Sequence, residues 1–140
     1  MAPIVYKDID ALCARRRKYV SDDFPWIGYD AAFGRCVDGA LRDRKNELRD
    51  MSRGDYYKSR YEDGAFAQSV AAVFNDTFSL GGAFFEPGDE IAALLQGRIN
   101  HFEIIDCWAQ FREKFGVDVS DLLMDRMLTF GQMVDFLARK

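Results

Sequence analysis

His101 is the single histidine of the chain, and it stands where the sequence favours the start of a helix. An imidazole titrates near neutral pH, so it suits acid–base catalysis or a pH-sensitive contact. Catalysis also needs a nucleophile or a carboxylate in a recognisable spacing, and the sequence offers none here. Cys107 falls on another side of the same helix by helical phase. We therefore expect no catalytic residue and a protein that is not an enzyme.

Serine and cysteine are the next residue types that could carry chemistry. Ser120 in Val-Ser-Asp-Leu is better placed to cap a short helix, and Ser79 lies in a glycine-rich loop. Cys13, Cys36 and Cys107 are far apart and show no metal-ligand spacing, so neither a zinc site nor a disulfide framework is expected. Unpaired cysteines favour a reducing compartment, and we predict a cytoplasmic protein without a bound metal.

Acidic residues form the third group, and they concentrate toward the C-terminus. Residues 71–140 hold 6 Lys/Arg and 11 Asp/Glu, a net charge of −5, whereas residues 1–70 hold 13 and 12, a net charge of +1. This asymmetry argues against a nucleic acid as the partner and is compatible with a protein partner that has a basic surface. Simple solubility is the alternative explanation.

Helices must position these residues, because apolar side chains recur with helical spacing and no alternating strand pattern is present. Phe33, Val37 and Leu41 keep the spacing i, i+4, i+8, which predicts a helix within residues 30–51. We expect an all-α fold. Its helices are predicted at residues 7–19, 30–51, 65–78, 100–115, 121–126 and after Thr129, with a loop over 79–89 and a short turn over 91–96.

Capping residues mark the ends of the last helices. Asn100 with Glu103 and Thr129 with Gln132 have the spacing of capping boxes, and Gly116 stands where a C-terminal glycine belongs. The apolar positions then predict the core. Its expected members are Val70, Phe74, Ile104, Trp108, Phe111, Phe115, Val119, Leu123, Leu128, Val134 and Leu137.

Two segments resemble acyl or peptidyl carrier proteins. EKFGVDVSD (113–121) looks like the end of the carrier's second helix and the following loop, and MLTFGQMVDFLARK (127–140) is similar to its fourth helix. The order long helix, long loop, helix, short helix, helix also matches. The resemblance implies an antiparallel four-helix carrier-like bundle over about residues 65–140. Residues 1–64 would then be a helical N-terminal extension packed on it.

In carriers, a serine at the start of the second helix bears 4′-phosphopantetheine, whose phosphate meets the positive end of the helix. By the family's spacing that position is His101, in the triplet Asn100-His101-Phe102. An imidazole cannot form the stable phosphodiester, so the resemblance implies a carrier-like scaffold that lacks the attachment site and has no cofactor. Acidic residues of this helix meet basic partners in the family, which assigns partner binding to Glu103, Asp106 and Glu113.

The N-terminal half adds one further candidate for partner binding. Trp26 lies in the apolar cluster Phe24-Pro25-Trp26-Ile27, which either packs the extension onto the bundle or anchors a partner. The basic residues 15–18 are close in sequence to acidic residues, and this mixture of charges favours a solvent-exposed helix end. No apolar run is long enough to span a membrane.

Four functional hypotheses follow from the sequence. One is a small enzyme that uses the His101 region, although this region lacks a recognisable nucleophile–base spacing. The other three do not depend on catalysis. The first is a non-catalytic, carrier-like interaction or regulatory protein without the phosphopantetheine serine. The second is a functional acyl carrier whose attachment serine lies elsewhere in the chain, with 4′-phosphopantetheine as its cofactor. The third is a small helical adaptor or immunity-type binding protein with an unrelated fold.

Overall fold

A computed structural model describes residues 3–5, 31–95, 101–117 and 128–139 of the chain. Within these ranges no strand is present, although Glu90 and Thr129 form an isolated antiparallel bridge. The all-α prediction is therefore confirmed. No helix in the described ranges is long and apolar enough to cross a membrane. The helices are α1 (Ala31–Glu47), α2 (Arg53–Arg60), α3 (Gly64–Phe78), α4 (Ile91–Leu94), α5 (His101–Phe115) and α6 (Phe130–Ala138).

The predicted ends of α5 and α6 are confirmed where they are described. Thr129 and Gln132 form a reciprocal capping box: Gln132 N donates to Thr129 Oγ1 at 3.2 Å, and Thr129 N donates to Gln132 Oε1 at 2.9 Å. Gly116 has φ of +71° and closes α5, a conformation that costs glycine little. Asn100 and the predicted helices over 7–19 and 121–126 lie outside the described residues.

Helix α2 was not predicted, because its tyrosines looked like a boundary between two units. Ser52 caps it by accepting a hydrogen bond from Asp55 N at 3.1 Å. The corner between α2 and α3 is tight, since a Cβ on Gly64 would lie 2.5 Å from Lys58 Cα. Only glycine allows this approach, which turns Tyr56 and Tyr57 into the protein interior.

Helix α3 lies at the centre of the described fold and packs against α2, α5 and α6. The ring of Phe74 is surrounded by other aromatic rings, with centroid distances of 5.6 Å to Phe130 and 5.9 Å to Phe111. Buried residues from both sides of residue 64 belong to this one core. The division into 1–64 and 65–140 and the four-helix arrangement stay predictions.

Most of the predicted core side chains that are described are buried, and this part of the prediction is confirmed. The exception is Phe115, which is only half-buried. The side chains of Ile104, Val119 and Leu123 lie outside the described part. The buried members are Val70, Phe74, Trp108, Phe111, Leu128, Val134 and Leu137.

The loop after α3 is present as predicted, but its second half is buried. Gly81 and Gly82 adopt φ of +69° and +74°, which suits glycine, and the chain then turns inward. Residues 83–86 and Asp89 are buried beneath α1 and α2. This loop therefore belongs to the core, and it carries two carboxylates into it.

Candidate functional site

The acidic candidates on α5 are exposed. Asp106 and Glu113 are both open to solvent and seven residues apart, so they lie on one face of the helix. Trp108 and Phe111 lie on the opposite side and are buried. Asp106 and Glu113 together are called the acidic face below. It can make electrostatic contacts with a basic surface without disturbing the core.

The remaining predicted site residues are described only in part. His101, Phe102 and Glu103 belong to α5, but their side chains lie outside the described part, as do Asn100 and Trp26. Within the described ranges, no group of three or more His, Cys, Asp or Glu side chains is arranged to hold a metal ion.

Cys36 is disulfide-bonded, and its partner lies outside the described side chains. The expectation that the cysteines do not pair is therefore wrong for this residue. The sequence suggested free thiols because the three cysteines are far apart along the chain, and folding overcomes that separation.

A second group of carboxylates lies inside the protein, on the loop between α3 and α4. Asp89 and Arg44 form an ion pair with 0% and 3% of their side chains exposed. Arg44 Nη1 donates to Asp89 Oδ2 at 2.7 Å, and Nη2 donates to Oδ1 at 3.0 Å. The backbone N–H groups of Ile4 and Glu86 complete the shell at 2.7 and 2.9 Å. The carboxylate of Asp89 thus accepts four hydrogen bonds.

Burial and pairing act in opposite directions on this ion pair. Burial raises the pKa of the Asp89 carboxyl above its ordinary value, and the hydrogen bonds and the positive charge of Arg44 oppose that rise. Burial alone would lower the pKa of Arg44, but its hydrogen bond and attraction to Asp89 outweigh the loss of solvent, so this pKa is raised. Arg44 also donates to Phe84 O at 2.9 Å.

Glu86, three residues before Asp89, is held by α2. Its Oε2 accepts hydrogen bonds from the hydroxyl of Tyr56 and from Arg60 Nε, the latter at 3.2 Å. The guanidinium of Arg60 also lies 5.1 Å from the ring centroid of Tyr56. The hydrogen bond between the Glu86 carboxylate and the Tyr56 hydroxyl therefore joins the loop to α2 and stabilises the loop.

Two more tyrosines hold the backbone of Phe85. The Tyr57 hydroxyl accepts a hydrogen bond from Phe85 N at 3.2 Å, and the Tyr61 hydroxyl donates to Phe85 O at 2.7 Å. Burial raises the pKa of Tyr57 to about 12 and also raises the pKa values of Tyr56 and Tyr61. All three phenols are therefore protonated at neutral pH.

The described serines lie at helix ends or within helices. Ser52 is an N-cap before α2, and Ser79 ends α3, at the negative end of that helix. Ser59 Oγ donates to Tyr56 O at 2.7 Å, and Ser69 Oγ donates to Ala65 O at 3.2 Å. Neither of these two lies at the start of a helix. Ser120 lies outside the described residues.

Two surface clefts of similar size carry opposite charge. One, of about 340 Å³, is lined by Glu62, Asp63 and Asp135 together with Arg139. The other, of about 350 Å³, is lined by Arg42 and Lys45 together with Asp38. Asp63 also caps α3, since its Oδ1 accepts from Phe66 N at 3.1 Å. The first cleft is a second exposed site with an excess of carboxylates, and no residue of α5 lines it.

Sequence reasoning missed the buried ion pair, although the sequence holds a signal for it. Arg44 follows Val37 and Leu41 in the apolar stripe of α1, which Leu48 continues just beyond the helix, and its position there predicts burial. Because a buried guanidinium requires a counter-charge, this spacing implies a buried carboxylate elsewhere. The spacing does not identify which carboxylate pairs with Arg44.

No protein-family model, no curated protein and no solved structure matches this chain. The geometry of the described residues and the composition of the chain are therefore the basis for a functional proposal.

Proposed function

We propose that this is a non-catalytic interaction or regulatory protein, with a carrier-like fold that lacks the phosphopantetheine serine. It binds a protein partner through the acidic face of α5, and the partner presents a basic surface. The observation that carries this proposal is the exposure of Asp106 and Glu113 on one face, opposite buried Trp108 and Phe111. A helix held by its apolar side presents its acidic side in a fixed orientation.

The distribution of carboxylates sharpens which ones can meet a partner. Glu86, Asp89 and Glu90 are buried and so contribute little to an outer surface. Asp106, Glu113 and the acidic cleft beside α6 are among the carboxylates that stay exposed in the described ranges. Because Asp106 and Glu113 share a straight helical face, they can contact one basic surface together.

Capture of partners from native extract tests the acidic face if two charge-matched variants are compared. The first variant carries Asp106→Lys and Glu113→Lys. The control carries Glu47→Lys and Asp50→Lys, which change two exposed carboxylates at the end of α1 by the same charge. We expect a salt-sensitive partner to be captured by the wild type and the control, and to be lost with the α5 variant. Equal loss with both variants would contradict a role for α5.

The absence of the prosthetic arm is tested separately by intact mass. The protein is incubated with coenzyme A and a phosphopantetheinyl transferase of broad specificity, beside a known carrier as a positive control. We expect no added mass. Addition of one phosphopantetheine group, abolished by Ser120→Ala, would support the alternative that this is a working carrier with 4′-phosphopantetheine at another serine.

A cytoplasmic location belongs to this proposal as well. The Cys36 disulfide counts against it, because stable disulfides are rare in reducing compartments. Thiol alkylation of the protein in intact cells, followed by mass spectrometry of the peptide that contains Cys36, would show whether this cysteine is reduced there.

A further inference from the structure

Residues 3–5, called the N-terminal segment below, lie against the loop that carries Asp89. Ile4 N donates to Asp89 Oδ1 at 2.7 Å, and Ile4 O accepts from Glu90 N at 2.9 Å. The side chain of Ile4 is buried within the core cluster. One residue of the segment is therefore recognised by its amide, its carbonyl and its side chain.

The loop has a second extended neighbour on its other side. Ile91 N donates to Leu128 O at 2.9 Å, and Phe130 N donates to Asp89 O at 2.7 Å. The N–H of Glu90 instead points toward Ile4, as expected when successive backbone groups alternate sides. Residues 89–91 thus lie between the N-terminal segment and residues 128–130. The N-terminal segment occupies an edge, as in the recognition of peptides by strand addition.

The edge formed by residues 88–90 has polar and steric features that fit such a segment. Besides the amide of Ile4, the Asp89 carboxylate binds Arg44 and Glu86 N, and these contacts fix its position. A Cβ on Gly88 would lie 3.0 Å from Pro3 Cβ, so the missing side chain lets the segment approach closely. A fixed acceptor, a backbone donor and an apolar pocket are the elements that recognise an extended peptide with one aliphatic side chain.

We propose that this edge is a docking site for an extended protein segment with an isoleucine-like side chain, and that the N-terminal segment is its intramolecular occupant. A segment of the same chemistry from a partner protein displaces it. Among the described residues, Ile4 makes two hydrogen bonds to this edge and buries one side chain, and these are the contacts that a competing segment has to replace. Its advantage is that it belongs to the same chain, which raises its effective concentration. This site is separate from the acidic face of α5.

A synthetic peptide of residues 1–7 with a fluorophore at its C-terminal end serves as the probe. It is titrated, with fluorescence anisotropy as the readout, against the full-length wild type and the full-length variants Ile4→Asp and Ile4→Gly. Both variants weaken the intramolecular occupant, and the milder glycine variant covers the case in which aspartate impairs folding. We expect the peptide to bind the variants at least about tenfold more tightly than the wild type, because no competitor has to leave.

Two matched peptides separate specific docking from general adhesion. The first carries aspartate in place of the isoleucine, and the second carries an N-methyl group on the isoleucine amide, which removes the donor to Asp89. We expect both to lose binding. Equal binding of all three peptides would overturn the proposal. So would failure of the unmodified peptide to bind variants that circular dichroism shows to be folded.

Discussion

Carboxylates of the C-terminal half occupy two contrasting regions, the loop between α3 and α4 and the outer face of α5. Asp89 on the loop is fully buried and accepts four hydrogen bonds, whereas Asp106 on α5 is exposed. Both count equally in the net charge of −5 for residues 71–140. A charge count therefore overstates the acidic surface, because part of the charge is neutralised inside the protein.

The elements around each carboxylate explain the contrast. The loop follows two glycines with positive φ, which turn the chain inward, and it reaches Arg44 on α1. Helix α5 is amphipathic, so its polar positions face solvent wherever its apolar positions face α3. The described loop carboxylates thus contact other parts of the fold, whereas Asp106 and Glu113 of α5 face solvent.

The largest expected effect is from breaking the buried ion pair. Asp89→Ala removes the carboxylate that pairs with the buried guanidinium of Arg44, which should lower the free energy of unfolding by about 3–5 kcal/mol. Urea denaturation followed by circular dichroism measures this change. Asp106→Ala is the matched control and should change the free energy of unfolding by less than about 0.5 kcal/mol.

A double variant tests whether the loss of stability is due to the change in charge at this ion pair. Arg44→Met combined with Asp89→Leu removes both charges and keeps much of the volume, so it should be less destabilising than Asp89→Ala. Comparable losses for Asp89→Ala and Asp106→Ala would show that the buried and exposed carboxylates do not differ in the way proposed.

Truncation of Trp108 should have an effect of similar size. This side chain is buried on the inner side of α5, and Trp108→Ala should lower the free energy of unfolding by about 3–5 kcal/mol. Its Nε1 has no hydrogen-bond partner among the described residues, so Trp108→Phe should cost much less than the alanine variant. Thermal and urea denaturation measure both. Unchanged stability of Trp108→Ala would contradict the orientation of α5 and hence the exposure of its acidic face.

Alkaline pH offers a smaller effect, on a buried tyrosine of α2 that contacts the loop. Tyr57 has its pKa raised from 10.0 to about 12 in the folded protein. A raised pKa means that its contribution to stability is complete below pH 10 and is lost as the pH rises toward 12. Over the full range the loss should be about 3 kcal/mol, since the shift is two pKa units of about 1.4 kcal/mol each, and roughly half of it falls below pH 11.

Urea denaturation between neutral pH and pH 11 measures this dependence, with phenolate absorbance as a second readout. Tyr57→Phe is the control, and its stability should fall less steeply over the alkaline range than that of the wild type. An equal slope for both proteins would show that Tyr57 ionises as easily in the folded state as in the unfolded one.

The sequence predicted helices well and buried polar contacts poorly, for a physical reason. The Thr129 cap, the Gly116 end and the burial of Phe74 depend on neighbours within a few residues or on helical periodicity, both of which are readable along the chain. The Arg44–Asp89 pair joins residues 45 positions apart, and no local pattern specifies such a partner. Helix α2 was missed because its tyrosines and Gly64 were interpreted as a boundary.

The acidic face should give the smallest change in stability and a large change in binding. Asp106 and Glu113 are exposed, so reversing both charges should alter the free energy of unfolding by no more than about 1 kcal/mol, the sum of two surface substitutions. Urea denaturation of the double lysine variant measures this, beside the partner-capture assay. The combination of normal stability and lost capture would separate the surface role of α5 from the structural role of the loop. A large loss of stability would mean that these carboxylates also support the fold, and the contrast between the two regions would no longer hold.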